Sequence, residues 1–167
     1  MGGESTSKTS TDLLNSDVLR TVRAATQKTR GDLDSLLTTK MGEYTSADTS
    51  VVVFGSLARE EWTAKSDLDW TFLIDGSANS DHLQITQDIH GVFNDNGYIE
   101  PGPTGTFGNM AFSHDIIHQI GGQNDSNKNT TQRILLLLES VAIGKRTDAY
   151  ERVINTLLTT SFSSIGR

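Results

Sequence analysis

Two carboxylates, Asp67 and Asp69, open an apolar run, Trp70 to Ile74, inside the stretch VVVFGSLAREEWTAKSDLDWTFLID, Val51 to Asp75. Residues i and i+2 of an extended strand point to the same face, so the pair presents its charges side by side while Leu68 and Trp70 face the other way. Like charges so placed call for a cation. Hard oxygen donors in this number suit Mg²⁺, which takes few carboxylates and completes its shell with phosphate oxygens and water. The preceding apolar run, Val51 to Phe54, ends in Gly55-Ser56. Gly55 allows close backbone approach, Ser56 offers a hydroxyl, and amides opening a following helix can bind phosphate. Either motif alone is an ordinary turn or a solvated strand start. Their combination, with a strand before the Gly-Ser and another after the Asp pair, is far more specific.

The pattern Gly-Ser, ten residues, Asp-x-Asp in this strand-turn-strand context resembles the DNA polymerase beta-like nucleotidyltransferase superfamily. Gly55-Ser56-Leu57-Ala58-Arg59, with Ser66 ahead of the Asp pair, is similar to its small-molecule and protein-modifying branches. NTTQRILLLLES, Asn129 to Ser140, is similar to helices that follow the core in a bacterial group of the superfamily. The resemblance implies an α+β fold, a small mixed β-sheet with helices packed on it. It also implies that Mg²⁺ on Asp67 and Asp69 bridges a nucleoside triphosphate, an acceptor hydroxyl attacks the α-phosphate in line, and pyrophosphate leaves. The acceptor class stays open between a small molecule, a protein and an RNA end. Most active members of the superfamily carry a third carboxylate from a later strand, to bind a second metal or activate the acceptor. By chain order Asp115 is the candidate here, with Glu100 and Asp125 as rivals. If Ser113 to Ile120 is a helix, Asp115 instead strengthens its first turn. Arg59 is the nearest cation for phosphate or acceptor. Lys128 and Arg133, near the start of a long helix, are further nucleotide-binding candidates or else solvated helix ends.

The elements that must position these groups are legible in the apolar spacing. Leu13, Leu14, Val18, Val22, Ala25, Leu33, Leu36 and Leu37 predict one or two amphipathic helices over Asp12 to Met41, interrupted near Gly31, behind a flexible tail of residues 1–11. A polar loop, 42–50, leads to a β-branched strand at Val51 to Phe54, a short helix at Ser56 to Glu61 and a strand at Asp67 to Ile74. A helix follows over Asp81 to Asn94, then a third strand that includes Tyr98 and Ile99. Pro101 to Gly108 is an irregular loop. Ser113 to Ile120 reads as a helix with a strand as the competitor, Thr131 to Val141 begins a buried helix, and a last helix spans about Asp148 to Thr160. Residues 12–167 make one nucleotidyltransferase-like domain, either a minimal form or a fragment lacking a C-terminal helical domain.

Composition sets the outer bounds. A chain of 167 residues is one domain's worth, and a net charge of −7 disfavours a sequence-independent grip on a nucleic-acid duplex. There is no cysteine, hence no disulfide, thiolate metal site or thiol nucleophile, which fits a cytoplasmic protein. No apolar run approaches the length of a membrane span. His114 and His118 are four apart but have no evident third metal ligand. Trp62 and Trp70 could stack on a base, although Trp70 alternates with the acids and packs inward. Asp67-Leu68-Asp69-Trp70-Thr71 also matches the nucleophile loop of haloacid dehalogenase-like phosphatases, where the apolar strand precedes the first Asp; here it follows. The leading alternative is a nucleotide-binding or regulatory domain that keeps the fold without a third carboxylate.

Overall fold

The computed structural model describes residues 6–103 and 105–163, with side chains over 17–103 and 105–160. The chain runs α1 (Thr6–Met41), β1 (Thr49–Phe54), α2 (Gly55–Ala58), β2 (Trp70–Ile74), α3 (Ser80–Asp95), β3 (Asn109–Phe112), α4 (Ser113–Ile117), α5 (Asn127–Leu138), β4 (Ser140–Ile143) and α6 (Asp148–Ser163). The four strands form one sheet in the order β3-β2-β1-β4. β1 is antiparallel to β2 and β4, and β2 is parallel to β3. The α+β class with a small mixed sheet is the observed fold.

β1, TSVVVF, is buried along its whole length because helices cover both faces of the sheet. Val51 and Val53 join Leu68, Trp70 and Phe72 against Leu33 and Leu37 of α1 and Ile89 and Phe93 of α3. Val52, Phe54 and Leu73 turn to the other side, against Ile116 and Ile117 of α4, Leu136 of α5, and Val153 and Leu157 of α6. Each fully buried Leu or Phe contributes about 1.5–3 kcal/mol. The strand period of two thus sorts the residues of β1 and β2 into two cores.

Several elements depart from the expected bounds. α1 continues through Gly31, since the burial of Leu33 and Leu37 outweighs the ~1 kcal/mol a helical glycine costs. The helix already includes Thr6 to Thr11 of the expected tail, whose residues 1–5 lie outside the described residues. The forward apolar residues of α1 do not reach the core: Val18 and Leu19 are 61% and 58% exposed. The side chains of Leu13 and Leu14 lie outside the described set. Tyr98 and Ile99 form no strand, only a parallel bridge from Ile99 to Asp67. The third strand is Asn109–Phe112 instead. α4 is helical but stops at Ile117, and α5 starts at Asn127, where Ser126 Oγ accepts from the Asn129 amide at 3.1 Å. α5 ends at Leu138, and Ser140 to Ile143, expected to continue a helix, pairs with β1.

Candidate functional site

The end of β1 and the start of β2 lie side by side: Val53 pairs with Trp70, and the Phe54 amide donates to the Asp69 carbonyl at 2.9 Å. That register sets Gly55 against Asp69. A Cβ at Gly55 would stand 3.4 Å from Asp69 Oδ2, and the residue has φ +60, so glycine answers both the close approach and the backbone conformation. Asp67 and Asp69 occupy the extended segment just ahead of β2. The Leu68 amide donates to the Ile99 carbonyl at 2.8 Å, and Leu68 and Trp70 are buried in the α1/α3 core. The alternation therefore sends Asp67 and Asp69 to the opposite face, Asp67 exposed and Asp69 half-buried. Further along that face Thr71 buries a hydroxyl with no protein partner.

A further acid lies at this end of the sheet, from an unexpected place. β4 pairs with β1 so that Ser140 lies opposite Phe54, which brings Glu139, the last residue before the strand, to the Gly-Ser end of the sheet. Asp69 registers it: burial first, then the charges of Asp67 and Glu139, push its carboxyl up to about 6. Glu139 accepts a hydrogen bond from Arg59 Nη1, while Arg59 Nε donates to Glu61 Oε2 at 3.0 Å. Asp115 goes elsewhere. β3 runs parallel to β2 with Phe112 opposite Ile74, and α4 starts at the next residue, so Asp115 lies at the far end of β2, about 16 Å of strand from Asp69. The Ser113 Oγ–Asp75 Oδ1 hydrogen bond of 2.7 Å marks that end. Asp115 sits in the first turn of a helix, the other of its two expected roles. The rivals Glu100 and Asp125 are also engaged elsewhere, Glu100 with Asn94 and Asp125 with Arg133.

α1 holds the Gly-Ser turn from behind. Arg30 donates from Nε and Nη2 to the Leu57 carbonyl at 3.0 and 2.6 Å and from Nη2 to Ala58 at 2.7 Å, satisfying carbonyls that a four-residue helix leaves open. The Trp62 amide donates to Thr26 Oγ1 at 3.1 Å. Glu60 takes a left-handed φ of 64, rare for a residue with a side chain, and Gln27 Nε2 donates to it at 2.9 Å. Sequence reasoning missed Arg30, Gln27, Glu60 and Glu139. For Glu139 the local signal, an acid ahead of Ser-Val-Ala-Ile, was masked by the Leu135–Leu138 run, which reads as an unbroken helix.

The other candidates divide. Ser66 Oγ accepts from the Thr63 amide at 3.3 Å and pairs with Thr63 Oγ1 at 3.0 Å, shaping the turn into Asp67. Lys128, in the first turn of α5, is about 16 Å of helix from Glu139. Arg133 is consumed within the fold, its Nε on the Ile116 carbonyl at 2.9 Å and its Nη2 on Asp125 at 2.8 Å. Trp70 is buried against Phe93 and Trp62 is half-buried. His114 and His118 are exposed, their rings 5.1 Å apart. Among the described residues no three His, Cys, Asp or Glu side chains meet closely enough to hold a metal by themselves, and no helix is long and apolar enough to cross a membrane.

Residues 35–98 match the family model of the nucleotidyltransferase domain, which bears out the resemblance to the polymerase beta-like superfamily. The matched segment runs from the rear of α1 through the Gly-Ser turn and the Asp pair to Tyr98. It points to a transferase, to nucleotidyl transfer as the general activity and to a nucleotide substrate. A comparison with curated proteins finds no match.

Proposed function

We propose, for a chain that carries the nucleotidyltransferase domain over residues 35–98, transfer of a nucleoside monophosphate from a nucleoside triphosphate to an acceptor hydroxyl, with Glu139 in the role first given to Asp115. The observation that carries this reading is the placement of Gly55-Ser56, Asp67, Asp69 and Glu139 at one end of the sheet.

The donor set fits a hard divalent cation. Asp67 and Asp69 are oxygen ligands on one face, and the Asp69 carboxyl is raised by burial first and by the neighbouring charges of Asp67 and Glu139 second, both of which a bound cation would offset. Two carboxylates with no closed protein cage suit Mg²⁺, which leaves positions for phosphate oxygens and water. When bound there it would supply positive charge at the triphosphate and at the oxygens of the displacement.

The chain's own groups do the rest. Gly55 lets the triphosphate come close to the backbone and Ser56 offers a hydroxyl to it. Ser66 shapes the approach to Asp67. Glu139, at the same end of the sheet, takes the proton of the acceptor hydroxyl as the new bond to the α-phosphorus forms and the bond to pyrophosphate breaks. Such a reaction belongs in the cytoplasm, where nucleoside triphosphates are held. Lys128 and Arg133 have no part in it. A second reading, nucleotide binding without transfer, draws on one observation: Glu139 is hydrogen-bonded to Arg59 rather than standing free. Incubation with α-labelled nucleoside triphosphates and Mg²⁺ decides between them. Label transferred to an acceptor by the wild type, and lost in Asp67→Asn and Asp69→Asn, supports the transferase. Mg²⁺-dependent binding with no transfer to any acceptor class supports the binding domain.

A further inference from the structure

Arg59 follows α2 directly and divides its guanidinium between Glu61 and Glu139. No ion pair among the described residues involves Asp67 or Asp69. Arg59 is therefore spent on Glu61 and on the acid that precedes β4 at this end of the sheet, Arg30 is taken up by the Leu57 and Ala58 carbonyls, and the Asp pair has no ion-pair partner among the described residues. The Arg59 side chain is 44% exposed and that of Glu139 25%. Ion pairs this exposed contribute about 1 kcal/mol or less, so little opposes the opening of this one.

Resting on the proposed function, we infer that Arg59 and the divalent cation compete for Glu139. In the cation-free protein Arg59 holds Glu139. Loading the Asp pair draws Glu139 toward the cation and leaves the Nη edge of Arg59 open to phosphate oxygens of the substrate, a geometry its planar fork suits. Glu61, still bound at Nε, keeps the guanidinium at the site during the exchange. Arg59 is thus a positioning residue that acts through Glu139 before it meets the nucleotide.

The test uses Mn²⁺ alone, without nucleotide, followed by loss of the free-ion electron paramagnetic resonance signal at constant ionic strength. The chains are wild type, Arg59→Gln, Glu139→Gln, the double variant and Asp69→Asn, each checked for folding by circular dichroism. Arg59→Gln is expected to tighten Mn²⁺ binding about fivefold, the equivalent of releasing one exposed ion pair. Glu139→Gln should weaken binding, and in that background Arg59→Gln should change nothing. Equal tightening in both backgrounds would mean that Arg59 acts only through its long-range charge, and unchanged or weaker binding in Arg59→Gln would mean no competition; either overturns the inference and leaves the transferase reading intact. Mn²⁺ binding that survives Asp69→Asn refutes the Asp-pair site, and the inference falls with it.

Discussion

The first atom that a side chain at Gly55 would meet is Oδ2 of Asp69, 3.4 Å away. The turn and the acid pair therefore share one surface, and bulk on the turn is bulk in the space over Asp69. Gly55→Val should lower affinity for Mg²⁺-nucleotide by tenfold or more. The variant should remain folded, losing about 1–2 kcal/mol because φ +60 is strained for a residue with a Cβ. Nucleotide titration and thermal unfolding read the two effects separately. Undiminished affinity in the folded variant would reduce the turn to a structural role.

Asp69 should make the cation-free protein less stable as pH rises. Its carboxyl shifts from 3.8 to about 6 on folding, so between these values the folded state holds a proton that the unfolded chain has released. The group's contribution is therefore most favourable below about pH 4, falls as pH climbs through 6, and is constant above. Asp69→Asn removes the effect. After allowance for partial solvent screening, the variant should exceed wild type by about 1–2 kcal/mol at pH 7.5 and match it near pH 4. Mg²⁺ should stabilise wild type and not the variant. Urea unfolding of both chains at the two pH values checks the sign.

Glu139 and Asp115 make opposite predictions for the third acid. Glu139→Gln should slow transfer from α-labelled nucleotide by about a hundredfold or more, the usual scale for losing a proton-transfer group. Asp115→Asn should leave the rate within a factor of two. A reversed pattern would return the role to α4.

Arg30 predicts a coupling between α1 and nucleotide binding. Its side chain, 20% exposed, satisfies the Leu57 and Ala58 carbonyls, so Arg30→Met should cost about 2–3 kcal/mol in equilibrium unfolding. Nucleotide affinity should fall as well, because the Gly-Ser turn loses its support. Loss of stability with affinity unchanged would show the turn to be self-supporting.

The central layer of the fold was legible from β1 and β2, whose β-branched and aromatic runs are buried on both faces and need little tertiary context. The same holds for Gly55, Ser56, Asp67 and Asp69, because their spacing within one continuous stretch brings them together. β3 and β4 were not legible. Each is a four-residue strand on the sheet's edge, and Ser140–Ile143 follows LLLLE without a Gly or Pro to mark the break. The candidate third acid was hidden by that same error, since Glu139 comes to the Gly-Ser end of the sheet only through the pairing of Ser140 with Phe54. Chain order favoured Asp115, and no local pattern discloses that β3 runs parallel to β2 and carries it away.

The hydrogen bond from Phe54 to Asp69 closes the excursion from Gly55 to Leu68 into a loop whose two ends belong to the sheet. Closure entropy rises only with the logarithm of contour, about 0.6 kcal/mol for each doubling. Length is therefore a permissive variable along this path, provided that the contacts of Arg30, Thr26 and Ser66 are kept. Residues inserted around Ala64 and Lys65, both exposed, would emerge beside Asp67 with the strand pairing undisturbed. On the proposed function, that is where acceptor preference could change with Gly55, Asp67 and Asp69 left in place.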